Sequence, residues 1–285
     1  MIPVAIALAL SAALLHGVWN VLVKVSGDPL STFQRATIAG AALMTPPALI
    51  AWLATGRPAL SWAAAGFAAL SALLEVCYLF LLSAAYRRGE LSVVYPIARG
   101  SAPLLAVVIG LGLLGERLAT TQLVGVGLLL IGILAVTLPQ TSGRATIPAL
   151  LTGVAIAAYT AVDRVGVRLT TPWLYGWLLV VLIASGLAFA RWAGRRLGGR
   201  LATRPLTPPV SWRQGFVIGL FMWSGYLLVL AALSIAPLSI VAPVRESAVV
   251  AVAVWGVWRL GERRASVLKI TGAAATLVGV TLLAA

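Results

Sequence analysis

The chain has 285 residues, 61% of them hydrophobic and 10% charged, with a mean hydropathy of +1.03 and a formal net charge of +14. That apolar excess lies outside the range of ordinary soluble domains, and the positive charge sits at the ends of apolar runs, which argues against nucleic-acid binding. The single cysteine, Cys77, excludes a disulfide framework and a cysteine-based metal site.

Gly, Pro and charged residues divide the chain into ten apolar segments of about 20 residues, the length that crosses a hydrocarbon core as helix. Barrel strands would be shorter and strictly alternating. The expected spans are 2–25, 31–54, 62–86, 91–114, 120–138, 147–169, 172–190, 212–234, 238–258 and 267–284. The first lacks a basic n-region and runs past signal-peptide length, so it is read as a retained span. Its His16, Asn20 and Lys24 fall at i, i+4 and i+8, one stripe of a helix, with Trp19 at the border.

Span 3 aligns Ser71, Glu75 and Tyr78 on one face, and span 4 aligns Ser92, Tyr95 and Arg99. An arginine at the depth of Arg99 costs roughly 2.5–3.5 kcal/mol on insertion scales, so it needs a partner or a function. Pro96 and Pro103 interrupt the same span, and a GER at 115–117 is read as its exit from the bilayer. Span 5 carries Gly125, Gly127 and Gly132, suited to close helix contacts with Gly272 and Gly279 of span 10, within one protomer or across a dimer. Span 6 brings Tyr159 and Asp163, and Arg164 beside them is expected to snorkel towards the outer surface. Span 9 places Pro243, Arg245 and Glu246 together. Prolines inside spans free backbone carbonyls, so Pro96, Pro103 and Pro243 are candidate hinges.

The linker 191–213 holds arginines at 191, 195, 196, 200, 204 and 213. With Lys24, Arg35, Arg87, Arg88, Arg144, Arg259, Arg263, Arg264 and Lys269, they put 15 cations on one side, against Arg57, Arg117 and Arg168 on the other. Short cytoplasmic loops are enriched in Lys and Arg, so the linker is expected in the cytoplasm, touching anionic lipid, and both termini outside. A cell membrane, the inner membrane of a bacterium, is the expected location.

Laid against itself, the chain repeats after about 146 residues. Leu91-Ser92-Val93-Val94 falls on Leu238-Ser239-Ile240-Val241, and after a one-residue shift Arg99, Ser101, Gly115 and Glu116 fall on Arg245, Ser247, Gly261 and Glu262. At a slightly different offset His16 and Asn20 fall on Tyr159 and Asp163. Five spans per half is an odd number, so the halves, 1–140 and 141–285, must run in opposite directions. The expected fold is an all-α membrane protein of ten transmembrane helices in two inverted-topology repeats.

The segments ARGSAPLLAVVIGLGLLGERLATTQLVGVGLLLIGI and VRESAVVAVAVWGVWRLGERRASVLKITGAAATLVGV resemble the two EamA repeats of the drug/metabolite transporter superfamily. The resemblance implies a secondary transporter, as in amino-acid and other metabolite exporters, with spans 4 and 9 lining a central cavity and spans 5 and 10 at the periphery. Many members of that family have cytoplasmic termini, which the cation count here opposes.

The expectation is an exporter of a small polar or zwitterionic metabolite, working by alternating access, as a monomer or homodimer, with no enzymatic activity, cofactor or metal. Arg99 and Arg245 are the candidate anion binders, because a guanidinium fork suits carboxylate or phosphate. Glu75 and Glu246 are the candidates for an ammonium or a proton, and His16, Asn20, Tyr95 and Tyr159 for orienting the substrate. Glu75, His16 and Asp163 are candidate proton carriers. In the structural alternative, Arg99 and Arg245 only lock helices by pairing with Glu75 and Glu246. Two further readings remain open: an organic-cation exporter, which needs a membrane carboxylate free of arginine in an aromatic cage, and a non-transporting scaffold, in which every deep charge is paired and no cavity exists.

Overall fold

The computed structural model describes residues 1–88, 91–137, 145–196, 210–247 and 266–284, and its regular elements are all helical. In chain order they are α1 (Ile2–Val25), α2 (Pro29–Ala54), α3 (Trp62–Arg88), α4 (Leu91–Gly112), α5 (Thr120–Thr137), α6 (Thr146–Gly166), α7 (Pro172–Arg196), α8 (Trp212–Ile235), α9 (Leu238–Glu246) and α10 (Ser266–Ala284). A 3-10 turn, Val167–Leu169, extends α6. Among the described residues six helices are long and apolar enough to cross a membrane: α1, α2, α3, α6 with its turn, α7 and α8. Shorter apolar helices lie at 97–112, 120–135 and 270–284. At 1.5 Å per residue a 24-residue helix such as α1 is about 36 Å long, enough for a hydrocarbon core of about 30 Å.

The ends of these helices are written locally. Between α1 and α2, Gly27 takes a φ of +99° that a side chain would resist, Asp28 caps Ser31 N at 3.0 Å, and Pro29 starts the helix where no N–H is needed. Ser211 and Gln214 form a reciprocal capping box at the start of α8. α7 runs beyond the expected end at 190 to Arg196, because arginines continue a helix well and Arg191 donates to Ser31 Oγ at 3.4 Å.

The polarity of the molecule is inverted relative to a soluble domain. Leu14, Leu73, Ile131 and Leu277 face outwards, whereas His16, Asn20, Glu75, Arg99, Asp163, Arg245 and Glu246 are buried. Lipid accepts the first set and only the protein interior can satisfy the second.

Helix contacts come in exchanged pairs. α3 packs on α6 as α1 packs on α8; α4 packs on α6 as α9 packs on α1; α2 packs on α8 as α7 packs on α3. α2 with α7, α4 with α9 and α5 with α10 complete the set. The α5–α10 contact is the most extensive, and glycine makes it so: a Cβ on Gly125 would lie 2.9 Å from the Gly279 carbonyl oxygen, and one on Gly279 would lie 2.6 Å from that of Gly125. The small-residue contact expected between these helices therefore forms within one protomer.

Candidate functional site

Three polar groups occupy the centre. In the first, Arg99 on α4 donates through Nη1 to Glu246 Oε1 and Oε2 at 2.9 and 3.1 Å, across the junction of the two halves. Arg245, next in sequence to Glu246, reaches the same Oε1 through Nε and Nη2, both at 2.8 Å. One carboxylate thus holds both arginines that the sequence singles out, and Glu75 holds neither. Arg245 Nη1 lies 3.5 Å from Thr160 Oγ1 on α6, and Glu246, Arg245 and Arg99 are all buried.

In the second group Asp163 on α6 accepts from Tyr175 Oη on α7 at 2.9 Å and from Tyr226 Oη on α8. No local sequence pattern marks these hydroxyls as its partners. Only the packing of α6 against α7 and α8 brings them to Asp163.

The third group is the α1 stripe. His16 Nδ1 bonds the Ala12 carbonyl at 2.8 Å, and because a carbonyl only accepts, Nδ1 carries the proton and Nε2 is left as the acceptor of the neutral ring. Asn20 donates to the His16 carbonyl at 2.8 Å and accepts from Tyr86 Oη at 2.7 Å. Lys24 donates to the Tyr86 carbonyl at 2.8 Å, so the stripe is fastened to the end of α3.

Between these groups lies a small cavity, lined by residues that include His16, Trp19, Glu75, Tyr159, Trp223 and Tyr226. Its walls come from α1, α2 and α3 of the first half and α6, α7 and α8 of the second. The rings form a connected wall, with centroids 5.5 Å apart for Tyr78 and Tyr159, 6.0 Å for Tyr159 and Tyr226, and 6.2 Å for Trp223 and Tyr226. Glu75 enters this wall from α3 with its side chain 7% exposed and its Oε1 without a hydrogen-bond partner. Among the described residues it joins no ion pair.

Of the residues expected to bind substrate, His16, Glu75 and Tyr159 therefore line the cavity, while Asn20, Arg99, Arg245 and Glu246 stand behind it. The described residues of α4 and α9, the helices expected at the wall, turn their charges on one another. Tyr95 and Pro96 belong to α4, but their side chains lie outside the described residues, as does the second GER at Gly261-Glu262. Pro103 and Pro243 are within α4 and α9.

The first GER does more than mark an exit. Glu116 returns to the start of α9, where it accepts from Leu238 N at 2.6 Å, Ser239 N at 2.9 Å and Ser239 Oγ at 2.7 Å. A carboxylate here satisfies orphan amides and complements the helix dipole. Arg164 does not snorkel, since it bridges Glu116 at 3.2 Å and the Leu233 carbonyl at 2.6 Å. The attraction of Glu116 in a part-buried corner outweighs the pull of the interface.

Residues 3–138 match the model of the EamA-like transporter family. That match spans α1–α5, so the first half of the chain is similar to the family. A crystal structure, one of 28 solved chains that match, is similar to this chain at a TM-score of 0.67 and 18% identity, over 98% of this chain and 95% of that one. Likeness at that identity speaks for the fold alone. No curated protein matches the chain. The match points to a membrane transporter, and the aromatic cavity with Glu75 in its wall is the candidate site.

Proposed function

We propose that this EamA-like protein is a secondary transporter that exports a small, amine-bearing metabolite by alternating access, through two five-helix repeats of inverted topology. The observation that carries the reading is the central cavity, walled equally by helices of both halves and entered by Glu75, whose Oε1 has no hydrogen-bond partner. A site shared by two repeats opens to one side or the other when they rock, with no change in the site itself.

The exchanged helix contacts support the inverted repeat, because a two-fold relation that maps α1–α5 onto α6–α10 carries each contact onto another of the set. The arginine–Glu246 cluster joins α4 to α9 at the axis of that relation, and Pro103 and Pro243 lie close enough in the chain to bend there. Glu75 and His16 are the groups that can exchange a proton with the cavity, and Asp163 stands one tyrosine hydroxyl behind it. The scaffold reading requires every deep charge to be paired and no cavity to exist; Glu75 and its cavity speak against it.

Reconstitution tests the proposal. Proteoliposomes loaded with a mixture of amino acids and organic amines should exchange at least one labelled member faster than protein-free vesicles, with saturation, and an imposed pH gradient should change the net flux. If no member of either class moves, the transporter reading is wrong.

A further inference from the structure

We infer that the cavity recognises an organic monocation, read by Glu75 within the aromatic wall, and that the two buried arginines take no part in reading substrate charge; this rests on the transporter reading and names its substrate class. The first argument is occupancy. Arg99 and Arg245 converge on Glu246, at 2.8–3.1 Å, so freeing a guanidinium for an anionic group would strand a buried carboxylate. Asp163 is held by two tyrosine hydroxyls. Glu75 Oε1 is the carboxylate oxygen left without a partner, and it belongs to the cavity wall.

The second argument is charge balance. Among the described residues the buried centre holds two arginines, Arg99 and Arg245, against three carboxylates, Glu75, Asp163 and Glu246. With all five ionised, one monovalent cation makes the centre neutral, which is the arrangement an intramembrane site favours. A zwitterion would add no net charge and would bring in a carboxylate that meets no open guanidinium. An anion would deepen the imbalance.

The third argument is the wall itself. Trp19, Tyr78, Tyr159, Trp223 and Tyr226 line the same cavity as Glu75, and aromatic rings attract ammonium groups as well as covering an apolar body. His16 Nε2 adds an acceptor for a second N–H.

A series with one apolar body and three charge states tests this: phenethylamine (cation), phenylalanine (zwitterion) and hydrocinnamate (anion), titrated calorimetrically into the purified, detergent-solubilised protein. Phenethylamine should bind more than about tenfold tighter than either of the others, and Glu75→Gln should weaken it by more than about tenfold, with Glu75→Asp partly restoring it. Preference for phenylalanine or hydrocinnamate, unchanged affinity in Glu75→Gln, or no binding by any of the three overturns the inference. The selectivity of the unaltered protein decides the point even if a variant fails to fold. Counterflow in proteoliposomes reads the transporter proposal separately: a ligand that binds through Glu75 yet is not exchanged leaves the binding chemistry standing and removes the transport reading, whereas exchange of phenylalanine with no response to phenethylamine does the reverse.

Discussion

Glu246 and Glu75 are the same residue type at similar burial, yet they do opposite work. Glu246 is shared by two guanidiniums, so Glu246→Gln leaves two buried cations facing a neutral amide; breaking a buried ion pair from one side costs about 3–5 kcal/mol. Glu75 has no cation to strand, and its unpartnered oxygen is a cost that the folded state already bears. The expected outcome in a detergent thermal melt is a large fall in apparent Tm for Glu246→Gln and little change, or a rise, for Glu75→Gln. Equal losses would mean that Glu75 has a structural partner after all. The sequence alone made both residues visible, because a carboxylate inside an apolar span is conspicuous. It did not reveal which one the arginines would choose. Arg245 is adjacent to Glu246, and Arg99 reaches it only because α4 crosses α9 at that level, a register that no local pattern encodes.

At the level of elements the reading was more complete. Most helix limits fell within a few residues of those expected, since runs of apolar residues end at the same Gly, Pro and charged positions that break a helix. The glycine contact of α5 with α10 was equally legible, as glycines spaced along two apolar helices have few other uses. The role of Glu116 was not, because its partners lie 122 and 123 residues away. Replacing a capping residue costs about 0.5–2 kcal/mol, so Glu116→Ala should loosen the first turn of α9 without unfolding the helix bundle. Arg164 keeps its bond to the Leu233 carbonyl and anchors its own helix. Hydrogen exchange should therefore rise in the amides of residues 238–241 while those of α5 and α10 stay protected. Exchange that stays unchanged at α9 would show that water caps the helix as well as Glu116 does.

For the whole molecule, the ends of the helices sort into two groups through contacts that are independent of the cation count. Arg87 at the end of α3 pairs with Asp28 at the start of α2, Arg191 near the end of α7 reaches Ser31, and Arg35 on α2 bonds the Val210 carbonyl before α8. These are the ends assigned to the arginine-rich side. Glu116 after α4, Arg164 near the end of α6 and Leu238 at the start of α9 meet in the other group. Which group faces the cytoplasm depends on the cations alone, and the positive-inside tendency places the Arg191–Arg196 end there. Cysteine labelling reads this directly. In a Cys77→Ser background, needed because Cys77 is exposed, Arg196→Cys should resist an impermeant maleimide in intact cells and react after permeabilisation, whereas Ala59→Cys in the α2–α3 connection should react in intact cells. The reverse pattern would give the protein cytoplasmic termini, and with the same cavity and the same Glu75 it would exchange the inner and outer faces of every step proposed for it.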